Sequence, residues 1–318
     1  MVIRVSRGSK RILLISLILV LVSLPLIALL SYLAISSLAK PKPYIAVIEL
    51  VGTIDYERPL LGNAITSNDV RELVKTVKED PFAKAVVLVI NSPGGTTAAF
   101  EVYEIIKELS NTKVVVAYIT GLGTSGGYLI ALPAREVVAH PTALVGSVGA
   151  IAVVINVKGL MDKLGLNITV VKSGDLKDLL SPFRELTKED LEVLKRIING
   201  VALEFAEKVR EHRGDRIRDY NEVLRAGVYT GVTARDLGLV DRIGSLEDAI
   251  ARARELSGLP ENAPAIWVKR RVSLLDLILS GVKLPARSLD VREPLSVEVL
   301  VMWPLPRELV ENTIVIRP

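Results

Sequence analysis

The stretch Ala85-Val86-Val87-Leu88-Val89-Ile90-Asn91-Ser92-Pro93-Gly94-Gly95 runs six consecutive apolar residues into a proline–glycine turn. A strand with one wet face alternates apolar and polar residues, so an unbroken run predicts a strand covered on both sides. Beyond the turn, residues 98–109 place apolar side chains at three- and four-residue spacing, the pattern of a helix with one buried face. Further strands are expected at 44–51, 114–119, 137–139, 150–155 and 168–171, and helices at 67–78 and from 126. Strands alternating with helices predict parallel crossover units and an α/β fold. A long helix is expected over 188–213, capped by Thr187 with Asp190 three residues on, and another opens at Ser245-Leu246-Glu247-Asp248. Beyond Gly258, prolines at 260, 264, 285, 294, 304, 306 and 318 break the pattern. That tail is expected to be an appendage outside the sheet. Its apolar piece at 274–279 is too short to span a bilayer.

The N-terminus reads differently. Residues 12–39 hold no charged side chain, a run of 28, which exceeds the roughly 20 apolar residues that cross a bilayer core. A cleaved leader has a shorter apolar region, about 7–15 residues, and a small-residue cleavage site, here represented only by the weak Ser36-Ser37-Leu38-Ala39. An uncleaved membrane helix is therefore expected. Arg4, Arg7, Lys10 and Arg11 precede it, which places the N-terminus in the cytoplasm and the remainder outside. The expected organisation is a basic flank at 1–11, the span at 12–39, a linker at 40–43, a catalytic domain at 44–258 and an extension of unknown role at 259–318. The chain has no cysteine, which excludes disulfides, thiolate chemistry and zinc–cysteine sites. A net charge of +4, much of it beside the span, gives no reason to expect nucleic-acid binding.

Two glycine-rich turns are expected at the same end of neighbouring parallel strands, the edge where α/β sheets carry their sites. One is Asn91–Gly95; the other is Gly123-Thr124-Ser125-Gly126-Gly127, after the strand at 114–119. If Gly126 opens a helix, its N–H has no partner there and can face a developing oxyanion. The bland alternative for each run is a strand-to-helix turn without chemistry. Gly123-x-Ser125-x-Gly127 also fits a nucleophile elbow that requires an acid and then a histidine. The chain has two histidines: His140 lies too close behind Ser125, and His212 reads as a solvated helix end. A lysine can act as the base only when neutral. At its ordinary pKa well under ~0.1% is neutral at pH 7, so burial away from carboxylates is required. Lys172 and Lys177 are the candidates, and either could equally be a solvated surface lysine. Pairing of Lys177 with Asp175 or Asp178 would defeat the chemistry.

Taken together, Gly123-Thr124-Ser125-Gly126-Gly127-Tyr128, Asn91–Gly95, Lys172-Ser173-Gly174 through Lys177-Asp178 to Ser181-Pro182, and Gly227-Val228-Tyr229-Thr230-Gly231 through Leu237-Gly238-Leu239-Val240-Asp241 resemble the signal peptide peptidase A family. The likeness covers roughly residues 44–258. It implies a Clp-protease/crotonase-like α/β fold of repeated β-β-α units and a Ser–Lys dyad of Ser125 and Lys177, 52 positions apart. It further implies Ser147, in Gly146-Ser147-Val148-Gly149, as the hydroxyl that orients the base, and Gly95 and Gly126 as oxyanion donors. The implied activity is serine endopeptidase cleavage of hydrophobic peptides such as remnant signal peptides, at a membrane, in a homo-oligomer, without metal or cofactor. The competing readings are a membrane serine protease of the NfeD-associated type acting on stomatin-like partners, and a non-proteolytic crotonase-like protein serving as an acyl-CoA enzyme or a membrane scaffold.

Overall fold

A computed structural model describes residues 7–38, 42–58, 64–269 and 299–302. The chain divides into two compact units, Met1–Lys42 and Pro43–Pro318. The first is the helix α1 (Arg7–Leu38), in which Pro25 lies. Its side chains are described for 16–31, nearly all exposed. Among the described residues no helix is long and apolar enough to cross a membrane.

The second unit alternates sheet and helix. Its first half contains β1 (Tyr44–Val51), β2 (Thr53–Asp55), β3 (Ala64–Thr66), α2 (Ser67–Glu79), β4 (Ala83–Ser92), β5 (Gly94–Thr96), α3 (Ala98–Ser110), β6 (Val114–Thr124) and α4 (Gly126–Leu129). Then come β7 (Glu136–Ala139), β8 (Leu144–Gly146), β9 (Ile151–Ala152), α5 (Lys158–Lys163) and α6 (Lys188–Arg213). The chain continues through α7 (Tyr220–Leu224), β10 (Val228–Thr230), α8 (Gly231–Leu237), β11 (Arg242–Ile243), α9 (Leu246–Ser257), β12 (Ala265–Trp267) and β13 (Val299–Met302).

The main sheet has the order β10-β8-β6-β4-β1-β12, with β7 and β11 branching from β6. β12, β1, β4 and β6 are mutually parallel, as the crossover pattern requires. The unbroken apolar run of β4 is explained by its two covers. Val86, Leu88 and Ile90 enter a core with residues of α2, α3 and α6, while Ala85, Val87 and Val89 pack with Ala249 and Ala253 of α9 on the other face. A second, mixed sheet has the order β3-β2-β5-β13-β9. Each long strand β1 and β4 thus hands the chain to a short strand of the second sheet and then to a helix.

Several expectations need correction. Residues 168–171 form no strand: Val171 is 94% exposed and nothing pairs with the segment. The tail is not wholly outside the sheet. β12 adds to the edge of β1, pairing Ile45 with Ala265 through Val47 with Trp267, and β13 enters the second sheet. The apolar piece at 274–279 lies outside the described residues. The expected caps are present: Thr187 with Asp190 and Ser245 with Asp248 each form a reciprocal capping box.

Candidate active site

β4 and β6 end side by side, paired from Ala85 with Val114 to Ile90 with Ile119 and, after a register shift, at Ser92 with Gly123, so the two glycine-rich turns meet. Contact this close tolerates no side chain. A Cβ on Gly127 would stand 2.3 Å from the Ser92 carbonyl oxygen, and one on Gly95 would stand 1.8 Å from that of Ile54. Asn91 ties the ends together: its Oδ1 accepts the Leu122 N–H at 2.9 Å, and its carbonyl accepts the Gly52 N–H at 3.1 Å. Asn91 has no role of its own in the sequence pattern; its place at the end of a buried strand is the available signal.

Ser125 sits between β6 and α4 as the N-cap of that short helix, 2% exposed, with φ 53° and ψ −121°. That backbone region is sparsely populated for a residue with a Cβ and costs on the order of 1–3 kcal/mol. The turn is held by its neighbours: the Ser125 N–H donates to the Gly146 carbonyl at 2.7 Å, and its own carbonyl accepts from Tyr128 and Leu129 at 2.9 Å each. Gly126 is the first residue of α4, so its N–H points out of the helix without an internal acceptor. The bond from Ser125 to Gly146 places the adjacent Ser147 at the same edge.

Ser147 is a second strained residue, at φ 56°, and its N–H donates to the Gly227 carbonyl at 2.7 Å. The motif Gly227–Gly231 thereby acquires a physical role. Its strand β10 runs antiparallel to β8, pairing Val228 with Gly146. Tyr229 packs where a Cβ on Gly227 would collide with its hydroxyl oxygen at 2.4 Å, and that hydroxyl donates to the Glu222 carbonyl at 3.0 Å. Burial pushes the Tyr229 phenol pKa up, and the hydrogen bond to Glu222 adds to it.

Ser125, Ser147, Gly126 and Gly95 therefore gather at one edge of the two sheets. Lys177 stands apart. It lies in a turn where its N–H donates to Gly174, it is exposed, and no hydrogen bond joins it to Ser125 among the described residues. The feared carboxylate pairing is absent there too. Asp178 is engaged by Lys172 at 2.8 Å and by the Arg184 Nε at 2.9 Å. These partners, Arg184 first, hold its carboxyl down at about 2. Arg184 also forks onto Asp190, the buried capping residue of α6, with one bond at 3.0 Å and a second, shorter one. Arg184 thus fastens the Lys177 turn to the start of α6, a role the sequence did not disclose.

Replacing Arg184 by Gln is expected to release Asp178 toward its neighbour Lys177. A nearby carboxylate favours the protonated amine, so a Lys177-dependent rate should need higher pH. Each unit of displacement costs about tenfold in neutral amine well below the transition. A pH profile of kcat/KM with an unmoved lower limb would refute this role for Arg184.

Neither histidine reaches Ser125. His140 is exposed, its Nδ1 2.9 Å from the Thr142 hydroxyl. His212 is not the solvated helix end expected of it: its Nε2 lies 2.8 Å from the Tyr103 hydroxyl, and burial pushes its pKa down. Among the described residues no cluster of His, Asp and Glu has the arrangement of a metal site.

With this geometry in view, the likenesses of the chain can be read. Residues 107–260 match the model of peptidase family S49, and residues 54–145 that of Clp protease. A protease-named protein of Methanocaldococcus jannaschii is 39% identical over 188 residues, covering 59% of this chain and 60% of that protein. Another, from Synechocystis sp., is 36% identical over 195 residues, covering 61% of this chain and 70% of the relative. The chloroplastic serine protease SPPA of Arabidopsis thaliana is 31% identical over 245 residues, covering 75% of this chain and 36% of its own length. The chain thus spans between about a third and about two thirds of these relatives. The S49 match runs from α3 through α9 and so includes Ser125, Ser147 and the Gly227 motif that buttresses them; the chain belongs to peptidase family S49.

Proposed function

We propose that this chain is a membrane-anchored serine endopeptidase on a Clp-protease/crotonase-like frame, with Ser125 as nucleophile and Lys177 as general base. The observation that carries the reading is Ser125 itself: buried, strained, and set between the end of a parallel strand and the first N–H of a helix. A structure bears such strain where the surrounding contacts over-determine it, and nucleophile turns are such places. Family membership supports the reaction class.

In the proposed reaction, the neutral Lys177 amine takes the Ser125 proton as Oγ attacks a peptide carbonyl carbon. The oxyanion is held by the N–H groups of Gly95 and Gly126, and Ser147 orients the amine. The Lys177 ammonium then returns the proton to the leaving amine, and water hydrolyses the ester. The exposed position of Lys177 makes desolvation part of this reading: a bound peptide or a second copy of the chain must cover its turn. In the segment leading to it, Leu164, Leu166, Ile168, Val170 and Leu176 expose 43–63% of their surface, which supports homo-oligomer formation and hydrophobic peptide substrates such as remnant signal peptides.

The proposed organisation keeps residues 12–39 as the anchor and 44–258 as the peptidase domain, with its bulk outside the cytoplasm. The uncharged run and its basic flank support this placement. Treating the full chain in detergent with a fluorophosphonate probe and mapping the adduct by tandem mass spectrometry tests the nucleophile. A single adduct on Ser125 is expected; modification at another serine, or none, overturns the assignment.

A further inference from the structure

A cluster of arginines lies at the end of the main sheet opposite Ser125. Arg135 and Glu136 open β7, which runs parallel to β6 and pairs Glu136 with Val116, near the start of that strand. Ser125 follows the other end of the same 11-residue strand. Arg242 begins β11 with Asp241 just before it, Arg252 belongs to α9, and Arg216 closes the turn Gly214–Arg216 behind α6. These side chains line a cavity of about 480 Å³.

The charges in its wall do not balance. Arg252 engages Glu136 through Nε at 2.8 Å and through Nη2 more closely, and the Arg242 Nε donates to the same carboxylate at 3.1 Å. Asp241 accepts from the Arg216 Nη1 at 2.9 Å, from the buried Arg213 at 2.7 Å and from the Val137 N–H at 2.7 Å. Both carboxylates are thus committed. The guanidinium groups are not: Arg216 and Arg242 remain more than half exposed with most of their donors unused. Arg135 is exposed and has no ion-pair partner among the described residues. Four guanidinium groups therefore face two carboxylates, leaving two positive charges at the cavity. Arg213 behind Asp241 and Glu255 beyond Arg252 cancel in that tally. The adjoining cavity, of about 980 Å³, shares Arg242 and Arg252 but sets only Arg254 beside them against Asp248, Glu255 and Glu261. Its charges cancel, so it offers volume without a net field.

We infer that the arginine-lined cavity beside β7 is a binding site for a phosphate monoester, with Arg135, Arg216 and Arg242 supplying the donors. Planar guanidinium forks match phosphate oxygens two at a time. A monoester carries about two negative charges at neutral pH and so neutralises the surplus, where a carboxylate would leave half of it. The neutral cavity alongside accepts the organic group of the ester. The site stands apart from the peptidase reading, since its residues lie most of the length of β6 away from Ser125. A soluble phosphate ester and the head group of a phosphatidic acid share this chemistry.

The test titrates the full chain in detergent, at an ionic strength held constant with sodium chloride, with inorganic phosphate and with dihexanoyl phosphatidic acid. Calorimetry reads Kd, and thermal melts read Tm. Saturable binding at ~1 mM or tighter is expected for at least one probe, with a rise in Tm. Inorganic phosphate binding as tightly as phosphatidic acid assigns a soluble ester; phosphatidic acid binding at least ~10-fold tighter assigns the lipid head group. Arg135→Gln, which breaks no ion pair, and Arg216→Gln are each expected to weaken Kd by at least ~10-fold, the loss of one charge-assisted contact. Arg135→Gln should melt like the parent in the absence of phosphate. No saturable binding of either probe would overturn the inference. So would a Kd left unchanged by both variants, because phosphate would then sit elsewhere. Equal affinity for dihexanoyl phosphatidylcholine would overturn it too, since its head group lacks the monoester charge.

Discussion

Lys177→Ala is expected to reduce kcat/KM for a hydrophobic peptide by about 10²–10⁴-fold, the range a positioned general base contributes. Ser125→Ala is expected to reduce it to the uncatalysed background, since no other nucleophile occupies the strained turn. The pH dependence gives the sign. A lysine base works only deprotonated, so the rate of the parent chain should rise with pH through the ionisation of the base amine. Lys177→Ala should abolish that rise and leave a flat residual rate. If the variant instead keeps both rate and profile, Lys177 is not the base. The alternatives are then constrained by geometry. Lys172 is paired with Asp178, while His140 is exposed and engaged with Thr142. Either would require the 172–184 segment or the 140–142 turn to rearrange when peptide binds. The measurement therefore separates a base already in the right sequence position from one recruited by movement.

How much of this was legible beforehand follows from how each feature is encoded. The central strands announce themselves because burial on two faces leaves long apolar runs in them; the expected bounds of β1 match its end residues, while β4 and β6 are longer than their apolar cores. The meeting of the two glycine turns followed from parallel neighbours ending at one edge. The strain at Ser125 and Ser147 was not legible, because positive φ at a serine is imposed by partners distant in sequence, Gly146 for one and Gly227 for the other. Residues 168–171 misled because β-branched residues favour a strand only where a partner strand and a covering face exist, and here Val170 and Val171 have neither. β12 and β13 were hidden for a related reason. Three- and four-residue strands set among prolines carry no periodicity, and only the edges of β1 and β5 reveal where they add. His212 misleads because its neighbours Arg210, Glu211 and Arg213 suggest solvent, whereas Arg213 is itself 3% exposed, donating to the Gly238 carbonyl at 2.8 Å and to Asp241 at 2.7 Å.

The second large effect is expected at Gly95. Alanine there would put its Cβ 1.8 Å from the Ile54 carbonyl oxygen and 2.6 Å from the Ile54 nitrogen. Both are backbone atoms of a paired strand, so no side chain can rotate away and β5 must shift. A shift of that size moves the Gly95 N–H off the place proposed for the oxyanion, and loss of one such donor costs about 10²–10³ in kcat. The crowding also destabilises the fold, by roughly 1–3 kcal/mol for an overpacked site. Gly200→Ala supplies the contrast. Gly200 lies within α6 where an added Cβ meets nothing within 4 Å. Alanine is there expected to leave kcat alone and to add about 0.5–1 kcal/mol through helix propensity. Thermal melts and steady-state rates on both variants separate the two terms. A Gly95→Ala protein that melts lower yet keeps its kcat would place the oxyanion donor elsewhere, with Gly126 the remaining candidate at the start of α4. Loss of kcat with KM nearly unchanged would assign Gly95 to the transition state, since an interaction made only there lowers kcat without weakening ground-state binding.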